Sequence, residues 1–553
     1  MKTMKRILCG VLSAALLAAL AACGTTDGGG AANTAAPGNT GAPSTSAPAG
    51  ATVLRGTCTT TPETVDPARG TGENDLMLYV NLYECLVAPN AEDGSPEPQL
   101  AERWEASEDG LSYTFQLRQD VTFADGTPLT SKDVKYSFDR MMTMGEGFAY
   151  VLKDVLAETV AVDEHTVEFK LSKTFGPFVS ALTAFRIVNS ALVEANTAAE
   201  GMYGDNGDYG TGYLLTHSAG SGPYVISSVT VHDTMVLTKN ANYWNGAVPA
   251  AAPDTVEIQE LTEASTTKML MSNGDLDFVH GHQDSTTIAA LTANDGIEVA
   301  ELQEAGLNYF MMNTQKAPTD DVHIRRAISY ACDYEQMKQI LGGAPDANGP
   351  VPTNLFGYVD DFEGYSYDLD KAKEEIAASK YASDLANYPI QLDYIEGNGD
   401  TGKLVYLMAS SLESLGFKVV INETPWVQFC NNEAEIATSP NVTNAFATAG
   451  YPEAGSILEL KYASWTVGNW NQNEWMQDEK FDSMLNEALG TVDDDARIAL
   501  YGQMQKYLVE EVVPSVYTCA SVIKPIYNAN NFEWPAKHAT TEYNFYYADY
   551  IMK

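Results

Sequence analysis

The sequence predicts a mixed α/β protein in which half-buried strands alternate with amphipathic helices. Residues 165–172 (HTVEFKLS) alternate apolar and polar side chains, as expected of a strand with one buried face. The apolar residues of 322–341 recur at helical spacing. Residues 389–421 have the pattern of a strand, a helix that ends at Gly416 and a second strand, as in a βαβ unit. These observations predict α/β lobes.

The first 22 residues have the features of a secretory signal peptide. Three basic residues precede an uncharged apolar run, 7–22, that is shorter than the roughly 20 residues needed to span a bilayer. The run leads into Leu20-Ala21-Ala22-Cys23, which resembles the bacterial lipobox. This resemblance implies that Cys23 becomes the lipidated first residue of the mature protein. The alternative is an ordinary signal peptide with a chance cysteine.

Residues 23–50 are predicted to form a flexible lipoprotein tether. They consist almost entirely of Gly, Ala, Thr, Ser, Asn and Pro. Such a composition buries too little apolar surface to offset the entropy lost on ordering. A lipid followed by a flexible segment and a large polar body is typical of a protein anchored at a membrane surface.

Local signals place further elements along the chain. The β-branched segment 52–61 predicts a strand, and 111–117 alternates as a half-buried strand does. Asp125 and Gly126 predict a turn before a helix that opens at Ser131.

The long apolar repeat near residue 330 predicts one continuous helix. Asp320 or Asp321 can cap its first turn, and Gly342 can end it. Arg325 and Arg326 lie on this helix and are expected to be surface residues or salt-bridge partners between lobes.

The charge balance excludes one class of partner. The chain has 32 basic and 74 acidic residues, for a net charge of −42 at pH 7. Nucleic acid would be repelled, since no basic stripe counters this charge.

No catalytic or metal-binding motif stands out in the sequence. It contains no nucleophile elbow, HExxH motif or P-loop, so an enzyme is not expected. His280 and His282 form the closest histidine pair but follow a strand-like segment, and we expect no metal and no cofactor. After residue 50 the cysteines stand singly, at positions 58, 85, 332, 430 and 519.

Several phrases resemble one family in both content and order. The most recognisable block spans 82–140 and includes "LAERWEASEDGLSYTFQLRQDVTFADGTPLTSKDVKYSFDR". It is followed by "SGPYVI", "NANYWNG", "MSNGDLDFV" and "NYFMMNTQKAPTDDVHIRRAISYACD". These blocks resemble the bacterial extracellular solute-binding proteins of family 5, the oligopeptide-, dipeptide- and nickel-binding lipoproteins of ABC importers.

The resemblance implies a periplasmic-binding-protein-like α/β fold (type II, three-domain cluster C type) with two lobes around a ligand cleft. The implied divisions are 51–73 with 222–306 and 521–553 as domain I, 74–221 as domain II, and 307–520 as domain III, the second lobe.

Peptide receptors of this kind hold the ligand's ammonium with an aspartate in a segment like G-W-x-x-D-Y-x-x-P. The matching segment here is 444–460. Aligning Tyr451 with the tyrosine of that pattern places Ala447 at the tryptophan and Gly450 at the aspartate. The usual ammonium partner is therefore missing. Glu453 is one substitute, and a solvated loop carboxylate is the alternative for that residue.

Other contacts carry over from the resemblance. The residues expected to bind ligand are Thr59, Thr60, Thr61, Phe148, Tyr150, Trp426, Asn444, Gly450, Tyr451, Glu453, Trp470 and Asn471. Trp470 and Asn471 lie in "WTVGNWNQNEW", whose rings and amides suit a peptide backbone or a sugar ring.

The resulting prediction is a monomeric, lipid-anchored receptor at the outer face of the bacterial cell membrane. It would capture oligopeptides or a related solute and deliver them to ABC permease and ATPase subunits. An oligosaccharide receptor is one alternative, and a ligand-sensing surface lipoprotein without transport is another.

Overall fold

The computed structural model of the protein describes residues 50–553 except 282, 398 and 536. The signal peptide predicted at 1–22, the lipidation at Cys23 and all but the last residue of the tether lie outside the described residues, as does His282.

The described chain is a mixed α/β fold, as predicted. Its strands are β1 (Val53–Cys58), β2 (Val87–Pro89), β3 (Pro96–Pro98), β4 (Ala101–Ala106), β5 (Ser112–Leu117), β6 (Leu156–Asp163), β7 (Thr166–Leu171), β8 (Tyr224–Thr230), β9 (Thr234–Lys239), β10 (Thr255–Glu260), β11 (Phe278–Val279), β12 (Ile297–Val299), β13 (Leu302–Met312), β14 (Ile390–Ile395), β15 (Val419–Thr424), β16 (Val442–Thr448), β17 (Ser515–Ile523), β18 (Ile526–Asn528), β19 (Phe532–Glu533) and β20 (Ile551–Met552). Its α-helices are α1 (Glu73–Leu82), α2 (Ser131–Met144), α3 (Ala149–Leu152), α4 (Phe178–Ala181), α5 (Ser190–Ala195), α6 (Ala264–Asn273), α7 (Ser285–Thr292), α8 (Val322–Ala331), α9 (Tyr334–Ile340), α10 (Leu369–Ala378), α11 (Gly399–Ser414), α12 (Trp426–Glu433), α13 (Ala454–Tyr462), α14 (Glu479–Gly490) and α15 (Asp494–Tyr507).

A seven-stranded sheet has the order β12-β18-β11-β1-β10-β9-β8. The central strand β1 runs parallel to both of its neighbours, β10 and β11. A β-carbon on Gly56 would overlap the ring of Phe278, so glycine permits this close approach between β1 and β11. Because β1 ends at Cys58, Thr59–Thr61 lie just beyond the carboxyl end of a central strand.

A five-stranded sheet has the order β15-β14-β16-β13-β17 and carries helices on both faces. β14, α11 and β15 form the predicted βαβ unit, with Ile390 opposite Val419 in a parallel pair. One face packs against α8, α9 and α11, and the other packs against α13, α14 and α15.

A four-stranded antiparallel sheet, β4-β5-β7-β6, packs against α2. Its core is aromatic, since the ring of Phe169 meets Phe115 and Phe138 edge-on at 5.6 and 4.7 Å. α2 begins with a capping box, in which Asp133 accepts the backbone N–H of Thr130 at 2.9 Å.

The chain passes between the seven-stranded and five-stranded sheets at two neighbouring places. These are residues 300–301, between β12 and β13, and residues 524–525, between β17 and β18. Leu302 pairs with Ile523 on one side of the crossings, and Val299 pairs with Ile526 on the other. The two connections therefore run side by side in opposite directions.

Two expectations about the segment near residue 330 were wrong. The single helix predicted there is two helices, α8 and α9, because Cys332 is extended and Asp333 caps a new helix through the N–H of Gln336. Arg325 is a buried residue and not a surface one. Its guanidinium donates to the carbonyls of Val512, Val513 and Thr319, and burial lowers its pKa to about 10.

No helix in residues 50–553, as far as they are described, is long and apolar enough to cross a membrane. In the same residues, no three His, Cys, Asp or Glu side chains are grouped to hold a metal ion. The five cysteines of the described part are free, and all except Cys430 are buried.

Candidate functional site

A cavity of about 460 Å³ lies between the end of β1 and the start of α1. Thr60 and Thr61, both predicted ligand contacts, line it. Thr61 is fixed in place, because its hydroxyl and its backbone N–H both donate to Glu260, at 2.9 and 2.8 Å. Thr59 accepts a hydrogen bond from Asn74 at 3.3 Å. The end of the central strand is thus a rigid polar wall of the cavity.

The lining of this cavity is acidic. Glu63, Glu73, Asp75 and Glu146 line it together with one basic residue, Arg69, whose Nε donates to Glu146 at 2.7 Å. Burial, helped by the charge of Glu63, raises the pKa of Asp75, while the N–H of Gly72 opposes that shift. These acidic lining residues were not predicted as ligand contacts from the sequence. The available signal was the acidic "GENDL" segment, 72–76, which is separated from the first predicted strand by ten residues, 62–71.

The two predicted aromatic contacts that follow the lining residue Glu146 in the sequence differ in exposure. Phe148 is buried, whereas Tyr150 is 52% exposed, and their ring centroids lie 6.2 Å apart. Phe148 therefore belongs to the core around the four-stranded sheet. Tyr150 is the member of the pair that is available for contact.

Tyr150 and Gly450 meet, although three hundred positions separate them in the sequence. A β-carbon on Gly450 would lie 2.5 Å from the hydroxyl oxygen of Tyr150. The turn that carries Gly450 is held by Ser456, whose hydroxyl accepts the N–H of Gly450 at 2.8 Å. The place where peptide receptors are expected to have a carboxylate is thus next to a tyrosine hydroxyl.

Glu453 lies in a buried ion pair and not in a solvated loop. Arg497 Nε donates to Glu453 Oε1 at 2.7 Å, and the hydroxyl of Tyr501 donates to the same oxygen at 2.8 Å. Both side chains of the ion pair are buried. The carboxylate is thus committed to protein partners. The neighbouring Tyr451 is also buried and packs edge-on against Phe175, with ring centroids 6.4 Å apart.

Asn444 is fully buried inside the five-stranded sheet. Its side-chain amide donates to the carbonyl of Tyr309 at 3.0 Å and to Asn308 Oδ1 at 2.9 Å. These bonds tie β16 to β13 and leave the amide facing protein groups.

The predicted tryptophan contacts come together near the start of α12. The rings of Trp426 and Trp470 lie 5.1 Å apart at 74°, and Trp426 is 47% exposed. Asn471 follows on the same turn, where its carbonyl accepts from Lys461 Nζ at 2.9 Å. The result is a half-exposed aromatic surface with an amide beside it.

The seven-, five- and four-stranded sheets pack against helices, and segments that are distant in the sequence line a polar cavity. Together these features define a fold of the periplasmic binding-protein type. DppA of Helicobacter pylori, solved in complex with the peptide STSA, superposes with a TM-score of 0.72 at 20% identity, covering 90% of this chain and 98% of that one. NikA of Brucella suis, solved with Fe(III)-EDTA, has a TM-score of 0.76 at 20% identity, covering 91% and 100%.

The chain belongs to the bacterial extracellular solute-binding proteins, family 5, whose model matches residues 95–495. One relative is the probable D,D-dipeptide-binding periplasmic protein of Escherichia coli. It is 29% identical over 470 residues, which cover 81% of this chain and 85% of the relative. The predicted family and fold class are confirmed.

Proposed function

We propose that this protein is the solute-binding component of an ABC importer and captures peptides or a related small solute. The observation that carries the proposal is the meeting of predicted contacts from distant parts of the chain. Thr60 and Thr61 line a cavity of about 460 Å³, and Tyr150 reaches Gly450 from another part of the fold. Small-molecule sites are usually concave pockets in which a few precisely placed polar groups orient the ligand.

Peptide is the favoured cargo. The Escherichia coli relative is named for D,D-dipeptides, and the Helicobacter pylori structure contains a peptide. The end of β1 offers hydroxyl and backbone groups of the kind that bind an extended peptide main chain.

The tryptophan pair supports a second candidate, a sugar-containing solute. Trp426 and Trp470 present half-exposed rings, with the amide of Asn471 beside them. Flat rings combined with amide hydrogen bonds suit a sugar ring as well as a peptide plane.

The delivery of the solute requires the protein to remain near its permease and ATPase partners. In this proposal a lipid on Cys23 anchors a monomer at the outer face of the cell membrane, and residues 23–50 form the tether. The seven-stranded and four-stranded sheets would form domains I and II of one lobe, and the five-stranded sheet would form domain III.

The test is native mass spectrometry of the protein purified without its signal peptide, followed by thermal unfolding with defined solutes. We expect a mass excess from a co-purified small solute, and a higher melting temperature with di- to tetrapeptides, because a ligand that binds the folded state stabilises it. Stabilisation by oligosaccharides and by none of the peptides would favour the second candidate. The absence of stabilisation by either set would contradict the proposal.

A further inference from the structure

Glu459 is a half-buried carboxylate in the middle of α13. The indole Nε1 of Trp465 donates to its Oε1 at 3.2 Å. Among the described residues, no Lys, Arg or His nitrogen lies within 4 Å of this carboxylate. Burial raises the pKa of Glu459, with the indole opposing the shift. A desolvated negative charge is thus left without a bonded cation.

Two aromatic side chains near this carboxylate are open to solvent. Trp465 is 50% exposed and Tyr150 is 52% exposed. Burial raises the pKa of the Tyr150 hydroxyl, and the negative charge of Glu459 raises it further. The carboxylate is therefore close enough to act on Tyr150 electrostatically. The charge of Lys173 opposes the rise in the pKa of Glu459, and the charge of Asp154 adds to that rise.

Helix geometry places Glu459 near Gly450. Ser456 precedes Glu459 by three positions on α13, and side chains at this spacing lie on the same helix face about 5–6 Å apart. The hydroxyl of Ser456 accepts the N–H of Gly450 at 2.8 Å. Glu459 is therefore one helical turn from the residue that holds the Gly450 turn, on the same side of α13.

We propose that Glu459, flanked by the rings of Tyr150 and Trp465, forms a subsite for the cationic group of the bound solute, such as an alkylammonium. A carboxylate supplies the opposite charge, and exposed aromatic faces attract a cation in addition. The inference rests on the proposed function and specifies the solute class as one that carries an amine. Glu453 is already paired with Arg497, so we assign the binding of the cationic group to Glu459.

Calorimetry with matched peptides tests the subsite. The probes are L-alanyl-L-alanine, its D,D isomer and the tripeptide of L-alanine, each with a free amine and N-acetylated. For the wild-type protein we expect the free amine to bind at least about 10-fold more tightly than the acetylated form. Glu459→Gln, which is nearly isosteric, should reduce that ratio to within about 2-fold, and Glu459→Asp should retain part of it.

The matched control is Glu487→Gln, at an exposed position on α14, which should leave the ratio unchanged. Unfolding midpoints are measured for every variant. If Glu459→Gln is unstable, Tyr150→Ala at a half-exposed position should still lower the affinity for the free amine several-fold.

A preference for the free amine that survives in Glu459→Gln would overturn the inference while leaving the proposed function intact. Equal binding of the free-amine and acetylated peptides by the wild-type protein would also overturn the inference and leave the proposed function intact. If no peptide of either form binds, the inference is overturned and peptide as the proposed cargo falls with it.

Discussion

Arg497 Nε donates to Glu453 Oε1 at 2.7 Å, and both side chains are buried. The pair joins α15 to the residue that precedes α13. Glu453 therefore supports the packing of these two helices near the proposed site.

Glu453→Gln should destabilise the fold strongly, because it leaves Arg497 as a buried charge without its partner. The expected loss is about 3–5 kcal/mol of the free energy of unfolding. Urea denaturation measures it. Asp494→Asn is the control, since Asp494 also contacts Arg497 but is 65% exposed. A loss below about 1 kcal/mol for Glu453→Gln would show that the ion pair does not support the fold.

Gly450→Val should force Tyr150 away from its present position. The added side chain would meet the Tyr150 hydroxyl at 2.5 Å or less, and overpacking typically costs about 1–3 kcal/mol. The double variant with Tyr150→Ala should recover most of this loss, which a double-mutant cycle in urea would measure. Gly399→Ala, where a β-carbon meets nothing within 4 Å, is the control. Additive losses in the cycle would contradict the contact.

The stability of the fold should fall as the pH rises from about 5 to 8, in part because of Glu433. Burial first, and then the charges of Asp393 and Glu474, raise the pKa of this carboxyl to about 8, although Thr443 Oγ1 donates to it at 3.0 Å. The folded state favours the protonated carboxyl, so the full contribution of Glu433 to the free energy of unfolding is present below its ordinary pKa of 4.5. This contribution disappears as the pH approaches 8.

Glu433→Gln should remove this part of the pH dependence, which is worth about 1.4 kcal/mol for each pH unit between the two pKa values. Urea denaturation at pH 5, 6, 7 and 8 measures the slope for each protein. The exposed Glu435→Gln is the control and should keep the wild-type slope. An unchanged slope in Glu433→Gln would show that Glu433 is already ionised in the folded protein.

Trp426→Ala should weaken solute binding more than it weakens the fold, because the ring is 47% exposed and contacts Trp470 at its edge. Loss of one stacking face is expected to lower affinity about 10-fold. Calorimetry with the co-purified solute measures this change. Tyr406→Ala, at a 61% exposed position on α11, is the control for a general loss of aromatic surface and should leave the affinity unchanged.

Cys23→Ala should prevent lipidation and release the protein into the medium or leave it unprocessed. The prediction rests on the basic, apolar and small-residue order of 1–23. Membrane fractionation and intact mass report the outcome. Retention in the membrane with an unchanged mass would contradict a lipid on this cysteine.

Local patterns were sufficient to predict much of the fold. The unit formed by β14, α11 and β15 follows from alternation, helical periodicity and Gly416, which are all properties of neighbouring residues. The break between α8 and α9 was missed because Cys332 and Asp333 carry no glycine or proline signal. The signal was instead a capping aspartate, since Asp333 accepts the N–H of Gln336, while the apolar periodicity continues across the break.

The site was harder to predict because its contacts span long sequence distances. Glu453 was predicted either to replace the missing aspartate or to be a solvated loop carboxylate, and its actual partner, Arg497, lies 44 positions later. Asn444 and Phe148 were predicted to contact the ligand, but burial turns their side chains toward protein groups. Family resemblance therefore predicted candidate segments, while the direction of each side chain depended on packing.

The paired crossings at 300–301 and 524–525 have a mechanical consequence. Two strands that run side by side resist stretching and shear, because their ladder fixes Leu302 against Ile523 and Val299 against Ile526. They resist bending much less. The parts of the protein built on the seven-stranded and five-stranded sheets should therefore move relative to each other mainly by rotation about one axis. A solute captured at the proposed site would be covered or released by a change in a single angle.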